Sequence, residues 1–138
     1  MTALYFCVVG LDMLRSLDDV DGIAEWVMRQ WTPNGFKGSP DGSPHIAMTY
    51  TALAILATLG ADLPSVDIRS FQRRGGSFAA AEDCESDVRF SYCAAVIHKL
   101  TTGAEFFEDP RPYIESCRCY DGGFGLVPGA PSSSIPTK

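Results

Sequence analysis

The chain has 138 residues, 46% of them hydrophobic and 20% charged, with a formal net charge of -6. This is a globular composition, of a length that fits one domain or part of a larger one. The acidic balance argues against a nucleic-acid binder, which would carry a clustered basic face. No apolar run reaches the ~18 residues of a membrane-spanning helix. The apolar stretch Leu4 to Val9 has no basic residue before it, as a signal peptide would, and the C-terminal Ile-Pro-Thr-Lys is not a prenylation acceptor. A soluble cytoplasmic protein is expected.

The first predicted element is a long, mostly apolar helix from Ala3 to Leu17. It ends at Asp18-Asp19-Val20-Asp21, a run that invites a diphosphate-magnesium reading. The spacing is wrong for Asp-Asp-x-x-Asp because position 22 is glycine, so helix capping is the better account, with Asp21 as N-cap. A shorter amphipathic helix follows over Gly22 to Trp31, placing Ile23, Trp26, Val27 and Gln30 at spacings of three and four. Next come a glycine turn at Pro33-Asn34-Gly35-Phe36 and a second long apolar helix, His45 to Leu59. Val66 to Gln72 is a short amphipathic candidate before the turn Arg74-Gly75-Gly76-Ser77-Phe78. A third long helix, Asp87 to Thr101, precedes a short one over Pro112 to Cys119, which Pro112 could start. The turn Asp121-Gly122-Gly123-Phe124 closes the pattern.

The turn phenylalanines at 36, 78 and 124 stand 42 and 46 residues apart. Periods of this size signal stacked supersecondary units. In each turn glycine supplies the positive φ and the following Phe anchors the turn to the core. Helices apolar nearly all round are buried on both sides, so the long ones form an inner layer and the amphipathic ones an outer layer. No convincing strand alternation appears. Two concentric layers explain the pattern best, although periodicity alone does not separate them from a serial solenoid. The Pro/Ser-rich stretch from Pro128 to Lys138 carries no helical pattern and is expected to be disordered. Both ends of the chain look cut.

Several runs carry a resemblance: Gly10-Leu11-Asp12-Met13-Leu14, then His45-Ile46-Ala47-Met48-Thr49-Tyr50-Thr51-Ala52-Leu53, then Asp87-Val88-Arg89-Phe90-Ser91-Tyr92-Cys93-Ala94-Ala95, with Gly-Gly-Phe turns between. Together, over roughly residues 2 to 129, they resemble the β subunits of protein prenyltransferases, and type I protein geranylgeranyltransferase most closely. The resemblance implies an all-α fold, a partial α/α toroid whose inner helices surround an apolar cavity, with 130–138 as a divergent tail. It implies a helical α subunit as heterodimeric partner and transfer of an isoprenoid from its diphosphate, here geranylgeranyl diphosphate, to a cysteine near a target protein's C-terminus. In the complete family enzyme a zinc ion, Zn2+, holds that cysteine as the nucleophilic thiolate.

Residue by residue, the resemblance assigns Arg89 and Tyr92, three apart on one helix face, to the lipid and peptide sites. It assigns Tyr50 to the same lipid wall and His45 and Ala47 to the peptide groove. Thr2 and Phe6, four apart on the first helix, match the pocket floor. Farnesyl-transferring relatives carry a tryptophan where Thr2 stands, so the small residue favours geranylgeranyl. Tyr5 and Phe90 are read as ordinary core. After the third turn the family continues to a His-Gly-Gly that helps hold the diphosphate, and later to its Asp, Cys and His zinc ligands. Here Pro128-Gly129 runs into Ala130-Pro131-Ser132-Ser133-Ser134, with no counterpart to any of them. The segment Arg69 to Gly76 also looks shortened.

No catalytic residue and no metal ligand is therefore expected within this chain. Cys93 and His98 are five apart and turned away from each other, and Cys117-x-Cys119 is usually structural. The five cysteines, an odd number, read as reduced and mostly structural thiols. Arg89 on an apolar helix needs a partner, for which Asp87, Glu85 and Asp12 are candidates. The alternative to an enzyme subunit is a truncated, catalytically silent chain that binds lipid or an α subunit. A farnesyltransferase-type β subunit is the nearest enzymatic alternative. The Asp-x-Asp-Asp acid of the related terpene cyclases is absent.

Overall fold

The structure, a computed structural model, describes residues 1–18, 20–101 and 104–132. Three long helices dominate: α1 (Thr2–Met13), α3 (Ile46–Thr58) and α4 (Val88–Leu100). Between them lie α2 (Ile23–Met28), a two-stranded hairpin of β1 (Trp31–Thr32) and β2 (Gly35–Phe36), and a 3-10 turn at Arg69–Phe71; α5 (Arg111–Ser116) follows α4. None of these helices is long and apolar enough to cross a membrane.

Helix α3 is the centre of the packing. It contacts α1 on one side and α4 on the other, and α2 and the hairpin on a further face. Its residues Ile46, Leu53, Ile55 and Leu56 have no exposed surface, which is what an apolar helix with neighbours nearly all round achieves. The fold class is all-α with short outer helices, as the sequence predicted.

The expectation for α1 needs correction. Its residues are as apolar as those of α3, yet Val8 is its one fully buried side chain. It has a long-helix neighbour on one side, so Phe6, Leu11, Met13 and Leu14 are exposed. Apolar composition all round a helix identifies what it can bury, not what is there to bury it.

Two outer elements also differ from expectation. Helix α2 stops at Met28 rather than running to Trp31, because Gln30 and Trp31 are taken up by the hairpin. There the Lys37 amide donates to the Gln30 carbonyl at 3.0 Å. The N-cap of α2 is Gly22 at φ 78, not Asp21; Asp19 of the acidic run lies outside the described residues. Val66 to Gln72 condenses to the three-residue 3-10 turn. Asp67 there accepts from the Arg69 amide at 3.0 Å, a local bond that competes with helix extension. In the short helix α5, Pro112 is the second residue, inside the first turn where its missing N–H costs nothing.

The repeats are joined through their backbones. In all three, the residue after the turn phenylalanine donates across the turn: Lys37 to Gln30, Ala79 to Phe71 at 2.8 Å and Gly125 to Cys117 at 2.8 Å. The same three residues form isolated bridges seven positions on, with Pro44, Ser86 and Ser132. Helices α3 and α4 then begin by donating their first amides into the next repeat: Ile46 to the Ala80 carbonyl and Val88 to the Leu126 carbonyl, both at 2.9 Å. Two otherwise orphan helix N-termini are thereby satisfied, and the stacking register of neighbouring repeats is set. Phe36 and Phe78 are fully buried under their turns, while Phe124 is 38% exposed. Of the expected tail, Ser132 bonds through its hydroxyl to the Asp121 carboxylate, and 133–138 lie outside the described residues.

Glycine is required at Gly35 for two reasons. Its φ is 118, and a β-carbon there would lie 2.5 Å from the Thr49 hydroxyl oxygen. That hydroxyl is already committed, accepting from the Phe36 amide at 2.8 Å and donating to the His45 carbonyl at 3.0 Å.

Candidate functional site

Stacking of equivalent repeat positions creates an aromatic row. Tyr50 and Tyr92 are 42 residues apart, the same step that separates Phe36 from Phe78. They stand at matching places on α3 and α4, with ring centroids 5.7 Å apart and planes at 67°, an edge-to-face pair. On the other side of Tyr50, across the α1–α3 contact, lies Tyr5. Their rings are 5.8 Å apart and their hydroxyls 3.1 Å apart, within hydrogen-bonding distance. Phe6 follows at 5.3 Å from the Tyr5 ring. The row thus runs across the three long helices α1, α3 and α4. Its centre, Tyr50, is half-buried, whereas Tyr92 is 58% and Phe6 67% exposed.

The electrostatic character of the row follows from these contacts. The Tyr50 hydroxyl is held well above the usual phenol range, first by the hydrogen bond to Tyr5, then by burial, then by the neighbouring Tyr92 hydroxyl. Tyr50, at the centre of the row, is thereby kept uncharged at physiological pH. The row presents aromatic faces and ring edges, a surface suited to an apolar chain and poor for an anion.

The other predicted residues surround it. Thr2, one turn before Phe6, is exposed and directs its hydroxyl to the Met48 sulfur at 3.6 Å. His45 is the N-cap of α3; its Nδ1 accepts from the Ala47 amide at 3.1 Å, which fixes the neutral tautomer. Burial lowers its pKa below the ordinary value of 6.5. Its ring meets Phe90 edge-on at 6.1 Å.

Arg89 is placed differently from a buried guanidinium. Its side chain is 65% exposed and it pairs with Asp87, the N-cap of α4, at 2.6 Å. Of the three acids considered from sequence, Asp87 is the partner. The guanidinium carbon also sits 5.7 Å from the Phe90 ring centroid. The N-terminal ends of α3 and α4 therefore carry polar groups (His45, Asp87, Arg89), and the aromatic row lies about one turn further along.

Tyr5 was missed as a site residue. Nothing in the sequence separates it from Leu4 as a core position, because its contact with Tyr50 depends on the register between α1 and α3. Phe90, also read as core, is half-buried between His45 and Arg89.

The described residues do not fit a metal centre. No three His, Cys, Asp or Glu groups converge among them. The Cys119 thiol donates to the Ala130 carbonyl at 3.3 Å, and His98 Nδ1 lies 2.6 Å from the Ala104 carbonyl. All five cysteines are free; Cys93 and Cys117 are buried. A separate cleft of about 420 Å³ near the second glycine turn, lined in part by Phe71, Glu82, Asp83 and Cys84, shares no residue with the aromatic row.

Comparison with known proteins gives a consistent relationship. The prenyltransferase alpha-alpha toroid domain profile matches residues 1–134. The chain is 34% identical to geranylgeranyl transferase type-1 subunit beta of Arabidopsis thaliana, over 96% of this chain and 45% of that protein. It is 31% identical to protein farnesyltransferase subunit beta of Pisum sativum, over 91% of this chain and 34% of that protein. It is 29% identical to geranylgeranyl transferase type-2 subunit beta of Saccharomyces cerevisiae, over 96% of this chain and 45% of that protein. The chain spans less than half the length of each of these curated relatives.

Proposed function

The chain belongs to the prenyltransferase alpha-alpha toroid family, and on that premise we propose that it is part of a type I protein geranylgeranyltransferase β subunit and contributes the isoprenoid-measuring wall. The observation that carries this reading is the aromatic row Tyr5–Tyr50–Tyr92 with Phe6 beside it. An isoprenoid chain has no hydrogen-bonding groups, so it is recognised by apolar area and shape alone. One further isoprene unit buried against such a wall is worth roughly 3 kcal/mol. Thr2, small and exposed near the row, leaves room for that fourth unit.

The parent reaction joins the thiolate of an acceptor cysteine to the first carbon of the prenyl chain: a carbon–sulfur bond forms, a carbon–oxygen bond breaks, and diphosphate leaves. In this scheme Tyr50, Tyr92 and Phe6 flank the lipid. Arg89, held at the start of α4 by Asp87, offers hydrogen-bond donors beside the lipid and the acceptor peptide, and His45 and Ala47 border the peptide. The described residues do not fit the zinc that would activate the thiol in the family enzymes, and no role in that step is assigned to them. The proposed setting is cytoplasmic, as a heterodimer with a prenyltransferase α subunit.

The exposed apolar side chains of α1, Phe6, Leu11 and Met13, suit a second reading: a catalytically silent chain that still binds lipid or an α subunit. Co-purification with an α subunit, titration with geranylgeranyl and farnesyl diphosphates by tyrosine and tryptophan fluorescence, and mass spectrometry of a cysteine-terminated peptide after incubation with zinc separate the two. Saturable binding that favours geranylgeranyl supports the wall. Thioether product supports the enzyme reading; binding without product supports the silent one. A complex that binds neither lipid overturns both lipid readings.

A further inference from the structure

The geometry points to Tyr5 as a positioning residue that sets lipid-length selectivity by holding the Tyr50 ring against the α1 side of the wall. The inference rests on the lipid-wall reading above and deepens it. Tyr50 is attached to α3, has partners on both sides, and receives different restraint from each. Tyr92 gives a ring-edge contact at 5.7 Å, which is broad in angle, and its hydroxyl acts on that of Tyr50 more weakly than the Tyr5 hydroxyl does. Tyr5 gives a hydroxyl contact at 3.1 Å, which is directional. The stronger directional restraint on the ring is therefore the one from α1.

Tyr5 is itself well fixed. It is half-buried, its ring packs on Phe6, and its amide donates to the Met1 carbonyl at 3.0 Å in the first turn of α1. Tyr92, by contrast, is more than half exposed. Without the Tyr5 hydroxyl, the Tyr50 ring keeps its contact with Tyr92 and loses the tie that draws it back towards α1. It then samples the space in front of the wall, between Tyr92 and Phe6. A longer lipid needs that space more than a shorter one, so its binding is the one reduced.

Tyr5→Phe is the test variant, because it removes one oxygen and leaves the ring packing intact. In the complex with the α subunit, the ratio of geranylgeranyl to farnesyl diphosphate affinity should fall by about fivefold, the size expected for one neutral hydrogen bond. Tyr50→Phe removes the same bond from the other end and should lower the ratio similarly. The double variant should add nothing, since the two share one interaction. A loss of general stability would weaken both lipids together and leave the ratio alone, so the ratio separates positioning from folding. Ultraviolet titration of the phenols gives a second readout, in which Tyr5→Phe should bring the Tyr50 transition down towards the ordinary tyrosine range. If the parent complex binds both lipids and Tyr5→Phe leaves the ratio unchanged, or the two single changes add in full, the positioning role is overturned while the lipid wall stands. If the parent complex binds neither lipid, the wall itself is overturned, and this role with it.

Discussion

Asp87 both caps helix α4 and clamps Arg89. Its Oδ1 accepts the Arg89 backbone amide at 2.8 Å, and its Oδ2 accepts from Arg89 Nη2 at 2.6 Å. The carboxylate is 12% exposed and the guanidinium 65% exposed, so the two halves of this contact differ in worth. The cap satisfies an orphan helix amide in a sheltered place, whereas the ion pair is largely screened by water. Asp87→Ala should lower unfolding stability by about 1–2 kcal/mol, and Arg89→Ala by less than about 0.5 kcal/mol. Urea unfolding of the two variants measures this; equal losses would show that the ion pair, not the cap, is the stabilising half.

Stability should decline through His45 as the pH is lowered. Burial lowers its folded pKa below the ordinary 6.5, so between the folded value and 6.5 the unfolded chain binds more protons than the folded one. Stability then rises with pH across that window. It is complete above 6.5, declines as pH falls below 6.5, and stops declining below the folded pKa. Protonation would also replace the lone pair that accepts from the Ala47 amide. His45→Asn keeps an N-cap acceptor without a titrating ring and should flatten the melting temperature across this window. An unchanged slope would assign the dependence to other groups.

The second glycine turn contains an internal control. Gly75 and Gly76 both have positive φ, at 87 and 83. A β-carbon at Gly75 meets nothing within 4 Å, while one at Gly76 lies 2.5 Å from the Asp109 carbonyl oxygen, a backbone atom. Gly75→Ala should cost about 1–2 kcal/mol from left-handed strain alone. Gly76→Ala should cost clearly more, because the approach of the 104–110 segment must also open. Comparable losses would mean that this segment yields freely.

Thiol reactivity should sort by burial. Cys7 and Cys84 are exposed and Cys93 and Cys117 buried. Burial pushes the Cys93 thiol up to about 11, which keeps it protonated and poorly nucleophilic. Alkylation at pH 8 followed by mass spectrometry should label Cys7 and Cys84 first and Cys93 only on unfolding. Early labelling of Cys93 would contradict the packing of α4.

Thr2→Trp tests the pocket floor directly. Placed in the complex with an α subunit, the indole should fill the space proposed for the fourth isoprene unit. It should shift preference towards the farnesyl lipid by about tenfold or more, a few kcal/mol at most. Competition between the two prenyl diphosphates reads the shift, and an unaltered ratio would remove Thr2 from the specificity assignment.

The sequence by itself determined the repeat, its turns and its helices. Their causes are local: glycine at positive φ, a phenylalanine under each turn, and apolar runs long enough to span a buried helix. The proposed roles of Tyr50, Tyr92, Arg89 and His45 came through the family resemblance of motifs contained within single helices. Only the tertiary structure decided what depends on one helix meeting another. It left α1 half uncovered although its composition matches that of α3, reduced the segment before the second glycine turn to a single 3-10 turn, and chose Asp87 as the partner of Arg89. It also brought Tyr5 to Tyr50. The two are 45 positions apart in the chain, and the 3.1 Å between their hydroxyls is fixed by how α1 lies along α3. That register is a property of packed surfaces, and neither helix specifies it alone.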